Sequence, residues 1–212
     1  SLDGNQKDIV GDASGFAECL SMAIDESEVA GVPWLERNQS LRRKWDALWE
    51  ERSRPDRTPV TPLKPEQIFR EVNEVLPRNA IVALDSGTLC RQAADALRYY
   101  EPPALLTPLD FALVGFGYAA GLGAKVAAPE RPVISMAGDG GFGMTVIEIC
   151  TAVQSSIGSV GIVLDNGCWG SEKAYQRDFY NERYIAESIV SPRYDEVARS
   201  CGADGYFVDQ PG

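Results

Sequence analysis

Two polar residues, each just past an apolar run, are the part of this chain best suited to chemistry. Asp139 lies in Gly138-Asp139-Gly140-Gly141, directly after the run at 132–137, and Asn166 lies in Asp165-Asn166-Gly167-Cys168, directly after the run at 160–164. Short continuous apolar runs bounded by turn residues are the pattern of strands buried on both faces of a parallel sheet. Between them, 142–155 places Met144, Ile147, Cys150, Ala152 and Val153 at roughly helical intervals. A strand, a helix and a second parallel strand bring both polar groups to the same end of the sheet. The glycine cluster then opens a helix, where unpaired N–H groups and the positive dipole end favour an anion.

This donor set suits a magnesium-bridged diphosphate. Mg²⁺ takes oxygen ligands in octahedral geometry, usually one or two carboxylates shared with phosphate oxygens. Asp139 supplies a carboxylate, Asn166 an amide oxygen, and a carbonyl in the turn after Asn166 a third ligand. A rival reading stays open: GDGGFG satisfies G-x-G-x-x-G between a strand and a helix, and Asp165 stands about where a dinucleotide fold places its ribose-binding acid. Against NAD, a carboxylate within the phosphate loop repels pyrophosphate unless a cation intervenes. A plain Asp-Gly turn without ligand is the third reading, and the paired Asn at the second strand end speaks against it.

The elements that must position these groups follow in order. Residues 1–30 read as a strand end, a turn at Gly11-Asp12 and an amphipathic helix with Phe16, Cys19, Leu20 and Ala23 on one face. Residues 31–64 read as a linker helix rich in aromatics, with Trp34, Leu35, Leu41, Trp45, Leu48 and Trp49, and then a connector carrying Pro55, Pro59, Pro62 and Pro65. The main domain, 65–212, opens with a helix bearing Ile68, Val72 and Leu76 behind Pro65. A buried strand at 80–85 then turns through Ser86-Gly87-Thr88 into a helix reaching Tyr100. Gly115, Gly117, Gly121 and Gly123 recur along a further helix, where glycines chiefly permit close packing. Past the second polar turn, Lys173 and Arg177 stand four residues apart on one helix face; beside the candidate metal loop, two such cations suit an anionic substrate group. A helix at 194–200 and a strand at 205–208 close the chain. The fold class expected is α/β, a parallel sheet flanked by helices.

Composition narrows the function. The 212 residues carry 20 basic and 31 acidic side chains, a net charge of −11, which offers no surface for nucleic acid or anionic membrane. No apolar run approaches the ~20 residues that span a bilayer, and 1–10 lacks a signal-peptide pattern. With no histidine, Ser-His-Asp and Cys-His catalysis are excluded from this chain. The five cysteines lack CxxC spacing and fit a reducing cytoplasm, with Cys19, Cys90, Cys150 and Cys201 as small core residues and Cys168 alone beside the candidate site.

The GDGG at 138–141 followed by Asn166 closing an apolar run resembles the cofactor signature of thiamine diphosphate (ThDP) enzymes. The resemblance implies ThDP and Mg²⁺ as cofactors, with Asp139, Asn166 and the Cys168 carbonyl on the metal and Gly138, Gly140 and Gly141 against the diphosphate. It sets Ser86, Gly87 and Thr88 against the diphosphate as well, Val114 as the wedge that bends the cofactor, and the Ala112 carbonyl at its aminopyrimidine. Asp165 stands where the family usually has Asn, and Val114 where Met, Leu or Ile is commoner. Residues 11–20 resemble the last unit of the middle domain that precedes the ThDP-binding domain in the acetolactate synthase superfamily. GAKVAAPERPVISMAGDG, NGCWGSEK and DFYNERY are most similar to sulfoacetaldehyde acetyltransferases, apart from Gly141-Phe142 where Ala-Trp is usual. That family converts sulfoacetaldehyde and phosphate to acetyl phosphate and sulfite; acetolactate synthase-like and 2-oxo acid decarboxylase activities are the alternatives, and a small anionic aldehyde or 2-oxo acid is the substrate class implied. The activating glutamate of the family comes from a separate domain, usually of a second subunit, so the resemblance implies no catalytic residue here, a chain cut at both ends, no turnover by it alone, and a homodimer or homotetramer in the full protein.

Overall fold

The structure, a computed structural model, describes residues 11–23, 32–54, 62–108 and 110–210. The expected strand end before Gly11 and most of the proline-rich connector lie outside the described residues. By internal contacts the chain divides into two units, Ser1–Leu48 and Trp49–Gly212.

The first unit contains helix α1 (Ala13–Ala23) and most of helix α2 (Val32–Ser53). Asp12 caps α1, its carboxylate accepting the Gly15 N–H at 2.8 Å. The expected apolar face of Phe16, Cys19 and Leu20 is exposed, and no residue of α1 is buried. On α2, Trp34, Leu35, Leu41 and Trp45 are exposed too, and Arg42 pairs with Asp46 one turn on (2.9 Å).

The second unit is built on a four-stranded parallel sheet in the order β2-β1-β3-β4, made of β1 (Ile81–Leu84), β2 (Leu105–Leu106), β3 (Val133–Gly138) and β4 (Val160–Leu164). The sheet feeds two cores, with alternate side chains of β3 and β4 reaching both. On one face Val82, Leu84, Met136 and Leu164 pack with Phe69 and Val72 of α3 (Pro65–Val75) and Cys90, Ala93 and Leu97 in and just past α4 (Thr88–Ala96). On the other, Ala137 packs with Tyr118 and Leu122 of α5 (Phe116–Ala127), Phe142 of α6 (Asp139–Thr145), and Ile149 and Ala152 of α7 (Glu148–Gln154). The last helices are α8 (Gly170–Phe179) and α9 (Tyr194–Ser200). Two cores on a parallel sheet explain why the strands read as unbroken apolar runs. No helix among the described residues is long and apolar enough to cross a membrane.

Several expectations change. The single helix over 142–155 is two, α6 and α7, broken at Val146-Ile147. The break rephases the apolar face: Phe142, Ile149 and Ala152 are buried, whereas Met144 and Ile147 are exposed. The helix expected to reach Tyr100 ends at Ala96, and β2, too short for a periodic signal, follows. No strand forms at 205–208; there Arg199 Nη1 donates to the Gly205 carbonyl (2.6 Å) and the Arg193 guanidinium stacks on Phe207 (4.0 Å), so side chains hold the segment in place of a ladder. Close packing explains Gly117 and Gly121, whose added Cβ atoms would meet the Asp85 nitrogen at 2.8 Å and run into the Ser135 hydroxyl, but nothing lies within 4 Å at Gly123. Among the four cysteines expected as reduced core residues only Cys90 is buried: Cys19 is exposed, and Cys150 of α7 is disulfide-bonded to Cys201 at the end of α9, with Cα atoms 5.1 Å apart.

Candidate functional site

The order β2-β1-β3-β4 makes the chain leave β1 to one side for β2 and continue on the other as β3, so the crevice at the carboxyl ends of β1 and β3 is a topological switch point. At such a point the flanking crossovers diverge and leave room for a ligand. The β1 end presents Asp85-Ser86-Gly87, the β3 end Gly138-Asp139-Gly140, and the register that pairs Gly138 with Leu164 sets Asp139 and Asp165 one residue past neighbouring strands.

Asp85 builds the crevice floor. Only 2 % exposed, it accepts the N–H groups of Ser86 (2.6 Å), Gly115 (3.0 Å) and Gly117 (2.9 Å), pinning the start of α5 to β1. Gly115 has φ +87°, which favours glycine, and a Cβ on Gly141 would lie 3.0 Å from the Asp85 carboxylate. Burial, with Asp85 beside it, pushes the Cys90 thiol up to about 12.

Asp139 is 1 % exposed, and among the described residues no lysine or arginine pairs with it. Its Oδ2 accepts the Ser191 hydroxyl at 2.9 Å and its carbonyl accepts the Tyr194 hydroxyl at 2.7 Å. Burial raises its carboxyl above the ordinary value, the Ser191 hydrogen bond opposes this, and the neighbouring Asp165 carboxylate raises it further. The Gly140 backbone is enclosed: a Cβ there would come within 2.7 Å of the Trp169 ring and 2.8 Å of Ile189.

The turn after β4 is held by its own side chains. Asp165 Oδ1 accepts the Gly167 N–H (3.0 Å), and Asn166 Oδ1 accepts the Cys168 N–H (3.2 Å). Residues 187–189 lie alongside: the Trp169 N–H donates to the Glu187 carbonyl (2.7 Å) and the Ile189 N–H to the Gly167 carbonyl (2.9 Å). Burial raises the Cys168 thiol above its ordinary value, which keeps it in the thiol form. The Thr88 hydroxyl at the start of α4 meets that of Ser171 at the start of α8 (3.0 Å), and a Cβ on Gly170 would lie 3.3 Å from the Asn166 amide. Thr88, Asn166, Gly170 and Ser171 thus share one neighbourhood.

Ala112 is exposed with φ 55°, and Val114 is half-buried just before Gly115. Lys173 pairs with the nearly buried Glu187 (3.5 Å), and Arg177 forms a two-point contact with its neighbour Asp178 (2.7 and 3.1 Å). Sequence reasoning gave no role to Ser191 or Tyr194, which lie in no spacing pattern, nor to Trp169 within NGCWGSEK, and it assigned the turn at 86–88 without giving Asp85 a role.

The family model for the thiamine pyrophosphate enzyme, C-terminal TPP binding domain, matches residues 85–212, which run from the β1 end through every loop just described. The chain belongs to this thiamine diphosphate family. A sulfoacetaldehyde acetyltransferase of Alcaligenes xylosoxydans xylosoxydans is 38% identical over 161 residues, 75% of this chain and 27% of that protein. A probable acetolactate synthase of Mycobacterium bovis is 35% identical over 150 residues, 71% of this chain and 27% of that protein. The fold is shared with a solved Rhodococcus jostii RHA1 thiamine diphosphate-dependent 4-hydroxybenzoylformate decarboxylase, at TM-score 0.68 and 24% identity over 74% of this chain and 30% of the other. The chain therefore spans about a quarter of the length of the curated relatives it matches. The domain reading of the GDGG loop displaces the dinucleotide one.

Proposed function

We propose that this chain is the diphosphate- and magnesium-binding part of a ThDP-dependent acyl transferase of the sulfoacetaldehyde acetyltransferase kind. The observation that carries the metal site is Asp139: a carboxylate 1 % exposed, beside a second carboxylate and without a basic partner among the described residues. A buried charge in that position calls for a cation. The donor set at hand is hard oxygen, the Asp139 carboxylate, the Asn166 amide oxygen and the Cys168 carbonyl, which fits Mg²⁺ better than a soft metal.

In this reading Asp139, Asn166 and Cys168 hold the metal, and Gly138, Gly140 and Gly141 let the diphosphate lie against backbone. Ser86, Gly87 and Thr88 close its other side from the β1 end. Val114 and the Ala112 carbonyl flank the organic rings. Bound there, the thiazolium ring supplies a nucleophilic carbon and an electron sink for cleaving the bond next to a carbonyl. Lys173 is the substrate-facing cation, released to an anionic group by exchanging Glu187 for it; Arg177 is the second. The substrate proposed is sulfoacetaldehyde with phosphate as acceptor, supported by the 38% identity to the Alcaligenes protein. An acetolactate synthase-like reaction on a 2-oxo acid is the second reading, supported by the 35% relative.

Calorimetric titration with ThDP and with NAD, each with and without Mg²⁺, tests the site. The expected result is ThDP binding that requires Mg²⁺ and disappears in Asp139→Ala; binding of NAD without metal would overturn it. Product analysis of the full-length enzyme on sulfoacetaldehyde and on pyruvate separates the two activities. There, Lys173→Ala raises KM for the anionic substrate, and an unchanged KM removes Lys173 from the site.

A further inference from the structure

The proposed metal ligands come from the ends of β3 and β4, where Gly140 and Asp165 also bear on Asp139, yet two of the groups that hold Asp139, Ser191 and Tyr194, come from neither. They come from one strap, 187–195, that runs from the end of α8's connecting loop into α9. Ser191 donates to Asp139 Oδ2 at 2.9 Å and Tyr194 to the Asp139 carbonyl at 2.7 Å, so a single segment grips both the side chain and the main chain of one residue. The strap is itself anchored. Its first part hydrogen-bonds to Gly167 and Trp169 on either side of Cys168, and Ile189 closes over the Gly140 backbone. Its last part is seated by the Tyr194 ring edge-on to Phe142 (5.1 Å), with the hydroxyl fitting where Gly143 has no side chain: a Cβ there would lie 2.9 Å from it. The strap thus spans both loops that carry the proposed ligands.

We infer that Ser191 and Tyr194 are positioning residues for the metal centre: Ser191 occupies one carboxylate oxygen of Asp139 and so presents the other to the cation, while Tyr194 fixes the peptide from which that carboxylate projects. This rests on the magnesium reading above. A carboxylate with both oxygens free rotates and binds either one-handed or two-handed; a hydroxyl on Oδ2 removes that freedom before the cation arrives. Hydrogen bonds from outside the ligand set that orient a ligand typically change metal affinity ~10–100-fold.

The test is calorimetric titration of Mg²⁺ into the protein with saturating ThDP, for wild type, Asp139→Ala, Ser191→Ala, Ser191→Thr and Tyr194→Phe, with thermal unfolding as the fold control. Ser191→Ala should weaken Mg²⁺ about 10-fold or more, Ser191→Thr should restore most of the loss by returning a hydroxyl, and Tyr194→Phe should cost less than Ser191→Ala because its hydroxyl reaches Asp139 at the main-chain carbonyl and not at the carboxylate. Wild-type affinity in Ser191→Ala, with Asp139→Ala inert, would overturn the inference and leave the metal site standing. Equal losses in Ser191→Ala and Ser191→Thr would also overturn it, since the hydroxyl would not be what matters. Undiminished affinity in Asp139→Ala would instead remove the magnesium reading beneath it.

Discussion

Among the described residues, three aspartates of the second unit are nearly buried, and they are satisfied in three different ways. Asp85 (2 % exposed) accepts three backbone N–H groups; Asp195 (9 %) accepts Arg193 at 2.9 Å and Arg199 at 2.8 Å; Asp139 (1 %) has the Ser191 hydroxyl, the Gly140 backbone and a neighbouring carboxylate. A carboxylate shut away from water needs donors or counter-charge: Asp85 has three N–H donors and Asp195 two guanidinium groups, whereas Asp139, with the Ser191 hydroxyl and the Gly140 backbone, has a second carboxylate beside it and no basic partner among the described residues. Under the proposed magnesium reading the contrast separates structural acids from the functional one: Asp85 and Asp195 are held by the chain's own donors, and Asp139 is the one that a cation would complete.

The largest effect should come from removing the acid with the most backbone partners. Asp85→Ala strands the buried Gly115 and Gly117 N–H groups, each costing ~1–3 kcal/mol, so a loss of about 4 kcal/mol is expected in urea unfolding. If Asp85→Ala unfolds like wild type, the division into structural and functional acids collapses.

The Cys150–Cys201 disulfide acts on the same contrast from the other side, since it ties α7 to α9, the helix that carries Tyr194 and Asp195. The bridge closes a loop of 51 residues, for which chain entropy alone gives a stabilisation of about 4 kcal/mol and measured bridges usually give 2–4. Reduction should therefore lower the urea midpoint by about 3 kcal/mol equivalent. An unchanged midpoint with a thiol-reducing agent present, after mass spectrometry confirms the bridge beforehand, would show that α9 is held by Phe142 and the arginine pairs alone.

These cases also mark what the sequence made legible. β1, β3 and β4 stand where their unbroken apolar runs put them; for β1 and β3 burial on both faces leaves an alternation-free signature, while β4 starts exposed at Val160 and is fully buried only at Leu164. That Asp139 and Asp165 end neighbouring strands follows from the same signal. The break between α6 and α7 was not legible, since neither glycine nor proline stands at Val146-Ile147 to announce it. Nor was the bond between Cys150 and Cys201, nor the irregular path at 205–208, where Arg193 and Arg199 replace a strand's ladder. Long-range side-chain contacts leave no period to read.

The smallest effect, and the sharpest, is the sign of the pH response. Asp195 has a lowered pKa, chiefly from its hydrogen bond with Arg193, so its contribution is present above the ordinary carboxylate value of 3.8 and is lost as pH falls below it. Asp139 has a raised pKa, chiefly from burial, so its contribution runs the other way: favourable below 3.8 and lost as pH rises through the raised value, leaving the ionised group a net cost at neutral pH in the absence of a cation. Asp195→Asn should then erode stability at neutral pH and flatten the acid limb. Asp139→Asn should make the metal-free protein slightly more stable at pH 7 than wild type, and Mg²⁺ with ThDP should reverse that order by stabilising wild type alone. Chemical unfolding of both variants at pH 4 and pH 7 measures this. A metal-free Asp139→Asn less stable than wild type at pH 7 would mean that the chain satisfies this carboxylate after all, and that it belongs with Asp85 and Asp195.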